Sequence, residues 1–181
     1  MAEDTKDTPE TGAAGQAPDA TNTPSFAIVG QYIRDLSFEN PNAPGSLVAA
    51  AQKPGSNVNI NVQVKKQSDE VYASEIGINV KTEHEGKVVY AVELVYGGLF
   101  RVKNVPENQL GALLMVEAPR LIFPFARQVL AQTIQQGGFA PLMLEPVDFL
   151  SLYRRNLQAA TERQKQQAGQ DAGEEAKPTV N

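Results

Sequence analysis

The chain has 181 residues, 41% of them hydrophobic, with no Cys, no Trp, one His and a formal charge of −5. That length accommodates one core of ordinary size with polar tails, and the inventory leaves out disulfide staples, thiol nucleophiles and soft metal ligands. The charge sits at the ends: residues 1–24 are acidic, residues 158–181 weakly so, and Ser25 to Leu157 sum to zero, which offers no cationic face for nucleic acid.

Residues 1–24 hold Thr, Pro, Ala, Gly and acids without periodicity, and residues 158–181 are rich in Gln, Ala and Glu. Both are expected to be disordered tails, too poor in apolar surface to offset ordering entropy. They flank one predicted domain over 25–157. The first residues lack the basic and apolar regions of a secretory signal, and no apolar run reads as membrane-spanning, so a cytoplasmic protein without membrane insertion is expected.

Four strands come first. Phe26, Ile28, Gly30 and Tyr32 alternate with their neighbours, and the phase then shifts to Leu36 and Phe38, which predicts a bulge near Arg34. Val58, Ile60, Val62 and Val64 interleave with Asn59, Asn61, Gln63 and Lys65, the clearest strand in the chain. Tyr72, Ile76, Ile78 and Val80 make a third. Beyond a turn at Glu83-His84-Glu85-Gly86, residues Val88 to Tyr96 make a fourth, which Gly97-Gly98 is expected to break or bend. One apolar and one polar face per strand fits an antiparallel sheet.

Between the first two strands, Glu39 to Ser56 carries three prolines and two glycines around Leu47-Val48-Ala49-Ala50-Ala51. A connection of about eighteen residues is longer than ordinary loops, and long loops are commonly functional. Its apolar middle needs a surface to pack on, and a flap over the helices would leave a groove for apolar segments of another chain. The candidate lining is Leu47, Val48, Phe125 and the apolar face of the second strand at Val58, Ile60 and Val62.

Helices follow. Pro106-Glu107 opens a short one with Leu110, Leu113 and Leu114 on one side. Pro119 is expected to restart the chain into a second, whose stripe runs through Leu121, Ile122, Phe125, Val129, Leu130 and Ile134 to a left-handed cap at Gly137-Gly138. A third opens at Glu145-Pro146 and presents Val147, Leu150, Tyr153 and Leu157. Strands then helices give an α+β domain with the helices packed on one sheet face. The stripe is wide, and Gly111 inside a helix costs about 1 kcal/mol against Ala unless something packs closely there. Leu110, Gly111 and Leu114 are therefore candidates for contact with another subunit.

Little in the chain can do bond chemistry. His84 has no second His or Cys beside it, Asp69-Glu70 and Glu83-His84-Glu85 lack a cation-loop spacing, and the paired glycines fit no phosphate-binding pattern. No catalytic residue, metal or cofactor is assigned, and a non-enzymatic binding protein is expected. On residue patterning alone a small apolar-ligand-binding α+β oligomer remains an alternative.

The segments Ile33-Arg-Asp-Leu-Ser-Phe-Glu-Asn-Pro-Asn-Ala-Pro44, Glu93-Leu-Val-Tyr-Gly-Gly-Leu-Phe100, Leu121-Ile-Phe-Pro-Phe-Ala-Arg127 and Gly138-Phe-Ala-Pro-Leu-Met-Leu-Glu-Pro-Val-Asp-Phe149 closely resemble the SecB family of bacterial export chaperones, in order, across residues 26 to 157. The resemblance implies a four-stranded antiparallel sheet backed by helices, in a homotetramer built as a dimer of dimers. It implies a cytoplasmic, ATP-independent holdase that keeps precursor proteins unfolded and passes them to the SecA motor. The acids that dock SecA in the family correspond to Asp35, Glu39 and Glu93, with Ala91 where the family often has Leu. The family's proline-rich crossover loop corresponds to Pro41 through Pro54, with Leu47 and Ala51 in place of the aromatics of some relatives.

Overall fold

Strands β1 (Ser25–Glu39), β2 (Gly55–Lys66), β3 (Val71–His84) and β4 (Lys87–Lys103) form one antiparallel sheet in the order β1-β4-β3-β2. The computed structural model describes residues 23–50 and 54–174; the expectations for residues 1–22, Ala51 and residues 175–181 lie outside these. Because β1 and β2 are opposite edges, the chain must travel the width of the sheet between them. That distance explains the length of the crossover, which also contains a short helix, α1 (Gly45–Ala50), where the sequence predicted only a loop. The crossover is pinned by Asn42 Nδ2 donating to Val88 O at 2.9 Å and by Ser46 Oγ donating to Asn40 Oδ1 at 2.6 Å.

Pairing of β1 with β4 slips at Val29 and again at Arg34, so the predicted bulge is present and has a second one before it. Glu85 and Gly86, with φ of 49° and 75°, close β3 and β4 as a two-residue hairpin. Gly97-Gly98 does not break β4, which runs on to Lys103. The pair instead permits close approach on both sides of the sheet: a Cβ at Gly97 would overlap the Tyr32 ring, and one at Gly98 would lie 2.6 Å from Phe100 and 2.9 Å from Ile122.

Pro119 likewise does not restart the chain. Helix α2 (Glu107–Ala112) passes through a π-helical turn (Leu113–Glu117) directly into α3 (Ala118–Gln136), one run of 30 residues. The wider turn sits just ahead of the proline, whose missing N–H and bulky ring would otherwise collide with a regular α-helical turn. Pro124 is also accommodated inside α3. Read as one element, the run is long and apolar enough to cross a bilayer by length and composition, contrary to the expectation above; here Ile122, Ala126, Leu130 and Ile134 face the sheet with no exposure. It ends in a Schellman motif: Gly138 (φ 90°) donates to Gln135 O, Phe139 donates to Ile134 O, and Phe139 and Ile134 join the same core.

Helix α4 (Phe149–Glu174) starts four residues later than predicted and continues past the expected tail boundary at Leu157. Its start is set by Asp148, which accepts from Ser151 N at 3.0 Å and Ser151 Oγ at 2.6 Å. These bonds hold the Asp148 carboxyl below its usual range, the Ser151 hydroxyl contributing most. The core lies between the helices and the inner sheet face, through Ile76, Ile78, Val80, Val92, Leu94 and Phe100, with Phe123 and Phe149 edge-to-face at 5.7 Å.

Candidate functional site

Strand register separates the candidate residues by face, since partners across a ladder point the same way. Glu39 pairs with Ala91, Ser37 with Glu93, and Asp35 with Val95, all on the face away from the helices. The sheet thus brings Asp35, Glu39, Ala91 and Glu93 onto one solvated surface. The three acids have no hydrogen-bond or ion-pair partner among the described residues.

Beside them lies a feature that strand alternation did not reveal. Glu75 belongs to the same outer face, yet its side chain is only 6% exposed. Tyr32 from β1, Gly97 from β4 and Glu75 from β3 share one row. With no side chain at Gly97, the Tyr32 ring crosses β4 and its hydroxyl donates to Glu75 Oε1 at 3.0 Å. Burial first, then the hydrogen bond and charge of Glu75, push the Tyr32 phenol up to about 12. Glu75 Oε2 forms ion pairs with Arg34 Nε at 3.5 Å and Lys65 Nζ at 3.8 Å but accepts no hydrogen bond. A polar recess of about 210 Å³ adjoins it, lined by Arg34, Asp35, Asn61, Asn79 and Glu93 among others. No group of three or more His, Asp or Glu able to hold a metal occurs among the described residues.

The predicted apolar groove divides into separate parts. Leu47 (44% exposed) and Val48 (71%) stand out from α1, which lies against β4, with Ala50 on the core and Leu47 near Gly138. The recess beside α1, about 430 Å³, is walled by Val48, Val88 and Val89 together with His84 and Lys87. It opens toward the β3–β4 hairpin rather than over the helices, because the crossover passes the hairpin end of the sheet. Val58 on β2 is partly exposed, Ile60 is half-buried, and Val62 is buried among Ile76 and its neighbours, so Val62 is core and not groove lining. Phe125 is half-exposed on α3.

Among the proposed subunit contacts, Leu114 is buried in the protomer's own core. Gly111 is explained within the chain: a Cβ there would lie 2.9 Å from the Tyr153 hydroxyl of α4. Leu110 and Gly111 both remain partly accessible. Unpredicted apolar exposure appears instead on the inner face of edge strand β1, at Ile28, Ile33 and Leu36, and on α3 at Leu121 beside Phe125. An open cavity of about 550 Å³ also lies between the start of β1, the π-helical turn and α4, lined by Phe26, Leu113, Val116, Leu150, Gln109 and Arg120 among others.

Comparison with known proteins bears on these surfaces as a set. The SecB family profile, described as preprotein translocase subunit SecB, matches residues 19–160. A protein-export protein SecB of Rhodopseudomonas palustris (strain BisB18) is 43% identical over 169 residues, covering 93% of this chain and 99% of the relative. One from Bradyrhizobium sp. (strain BTAi1) is 46% identical over 148 residues, covering 82% and 91%. Among solved structures, a SecB-like chaperone of Mycobacterium tuberculosis in complex with an antitoxin ChAD peptide aligns with a TM-score of 0.57, covering 67% of this chain and 90% of that one. At 15% identity that likeness is one of fold. With the profile spanning most of the domain and relatives matched over nearly their whole length, the chain belongs to the SecB family.

Proposed function

We propose that this chain is a cytoplasmic, ATP-independent chaperone of preprotein export that holds unfolded precursors and delivers them to SecA. Family membership together with large apolar side chains left in solvent carries this reading. Leu47, Val48, Val58 and Phe125 offer apolar contacts, and the β2 edge offers unpaired backbone groups to an extended client. Holding requires no fuel: a ligand that binds only the unfolded client shifts its folding equilibrium by mass action. Slow-folding clients expose apolar segments longest and are captured most. Working assembly is proposed as a homotetramer, a dimer of dimers.

SecA docks, in this reading, on the outer sheet face at Asp35, Glu39 and Glu93, with Ala91 between. Three exposed acids make an association that weakens as salt rises.

Light scattering on a sizing column tests the reading, with a slow-folding polypeptide freshly diluted from denaturant and its native form run in parallel. A tetramer that co-elutes with the unfolded form alone is expected. Joint substitution of Leu47→Asn and Val48→Asn should weaken capture roughly tenfold, from the apolar area lost, with circular dichroism unchanged; undiminished capture would remove α1 from the client site. The cavity near Phe26 supports the competing reading of a small apolar-ligand carrier. Indifference to the folding state of the polypeptide, with saturable uptake of a fatty acid, would establish that one instead.

A further inference from the structure

Glu75 is a costly residue for its position. Burying a carboxylate among β-strands is unfavourable unless its charge is used, and an apolar side chain of similar size would serve the fold at least as well. Its three neighbours come from both flanking sides of the sheet: Tyr32 and Arg34 from β1, Lys65 from β2. Arg34 is the extra residue of the β1 bulge, immediately before Asp35, and it lines the same recess as Asp35 and Glu93. A half-exposed guanidinium there shares the recess with two carboxylates that have no partner among the described residues. Neither is taken, and its Nε faces Glu75.

We infer that Glu75 is a positioning residue, which draws Arg34 and Lys65 toward the middle of the sheet and so leaves Asp35 and Glu93 free to meet a cationic partner surface. The inference rests on the docking role proposed for those acids. Without the Glu75 charge, Arg34 gains most by turning to the nearest remaining carboxylates, which are the docking acids themselves. The bulge supplies the freedom for that turn. An internal Arg34–Asp35 or Arg34–Glu93 pair then competes directly with the partner's cations, and the partner must break it.

The test is a double-mutant cycle on the full chain with purified SecA at low ionic strength. Glu75→Gln keeps the shape and an acceptor for the Tyr32 hydroxyl while removing the charge. It should weaken SecA binding roughly threefold to fivefold, the scale of one exposed charge pair, and flatten its salt dependence. Adding Arg34→Gln to Glu75→Gln should restore the original affinity. Unchanged binding in Glu75→Gln, or no recovery in the double variant, overturns the inference. Should Glu75→Gln not fold, Arg34→Gln alone decides: a change below about twofold agrees with an Arg34 already held back, whereas a gain of about threefold or more shows it neutralising the acids and refutes the role. If Asp35→Ala with Glu93→Ala leaves SecA binding intact, the docking assignment fails, and the role of Glu75 is then read without a partner. In that case the Arg34 Nε–H signal in nuclear magnetic resonance should move in Glu75→Gln; an unmoved signal overturns the inference.

Discussion

Tyr32 shows how one side chain ties three strands, and it does so through a group whose protonation can be read. Its phenol is raised from 10.0 to about 12 by burial and by Glu75. The folded state therefore favours the neutral phenol, and this stability is complete below pH ~10 and disappears as pH climbs through about 12. A hydrogen bond to a carboxylate contributes ~1.5–3 kcal/mol when sheltered; with the ring partly in solvent, about 1 kcal/mol is expected from Tyr32→Phe at pH 8. Urea unfolding should show the gap between parent and Tyr32→Phe narrowing from pH 10 to 12, and a constant gap would mean the bond to Glu75 is not formed. Sequence patterning could not have found this cluster. Alternation with Ile76, Ile78 and Val80 puts Glu75 on the outer face of the sheet, but its coverage by a ring passing over Gly97 depends on register between strands distant in sequence. The same holds for Gly97-Gly98, whose composition suggests a break and whose role is close contact on both faces.

At the level of elements, sequence patterning located the four strands, the bulge at Arg34, the hairpin and the glycine cap of α3, because each rests on local alternation or local backbone chemistry. It misplaced elements where prolines were read as boundaries. Pro119 follows a π-helical turn that absorbs it, and Glu145-Pro146 precedes α4 in an extended segment held by Arg127 Nη1 donating to Leu144 O at 3.3 Å. The π-helical turn has its own tie to the sheet: buried Ser74 Oγ donates to Leu114 O at 2.9 Å. In a turn whose hydrogen bonds are already irregular, this bond fixes which carbonyl faces β3. Ser74→Ala should cost about 1–3 kcal/mol, the range for removing a buried polar partner, and should raise amide exchange selectively around Leu113 to Glu117. A uniform loss of protection along the whole run from Glu107 to Gln136 would show instead that the turn depends on global packing.

At the scale of the whole molecule, no further strand pairs with either edge of the sheet among the described residues, and these edges differ. The polar face of β2 is rich in Asn and Gln, and its apolar face is covered in part by the π-helical turn. β1 keeps Ile28, Ile33 and Leu36 in solvent at 40%, 48% and 40% exposure, and helix α3 adds Leu121 and Phe125. Apolar rows of this kind beside an open strand edge mark contact surfaces. Leu114, which looked like a subunit contact in the sequence, is consumed inside the protomer, and the small side of Gly111 already accommodates Tyr153, so the proposed self-association has to draw on further residues. The distinction was invisible to periodicity, because an apolar stripe looks the same whether a sheet or a second copy covers it. Ile33→Lys places a charge in the middle of the β1 row and should lower the assembly by at least one order of subunits in light scattering, while circular dichroism keeps the parental spectrum. If mass is unchanged, β1 is not part of the subunit contact and the exposed row belongs to client capture, in which case the same variant should lose affinity for unfolded polypeptide.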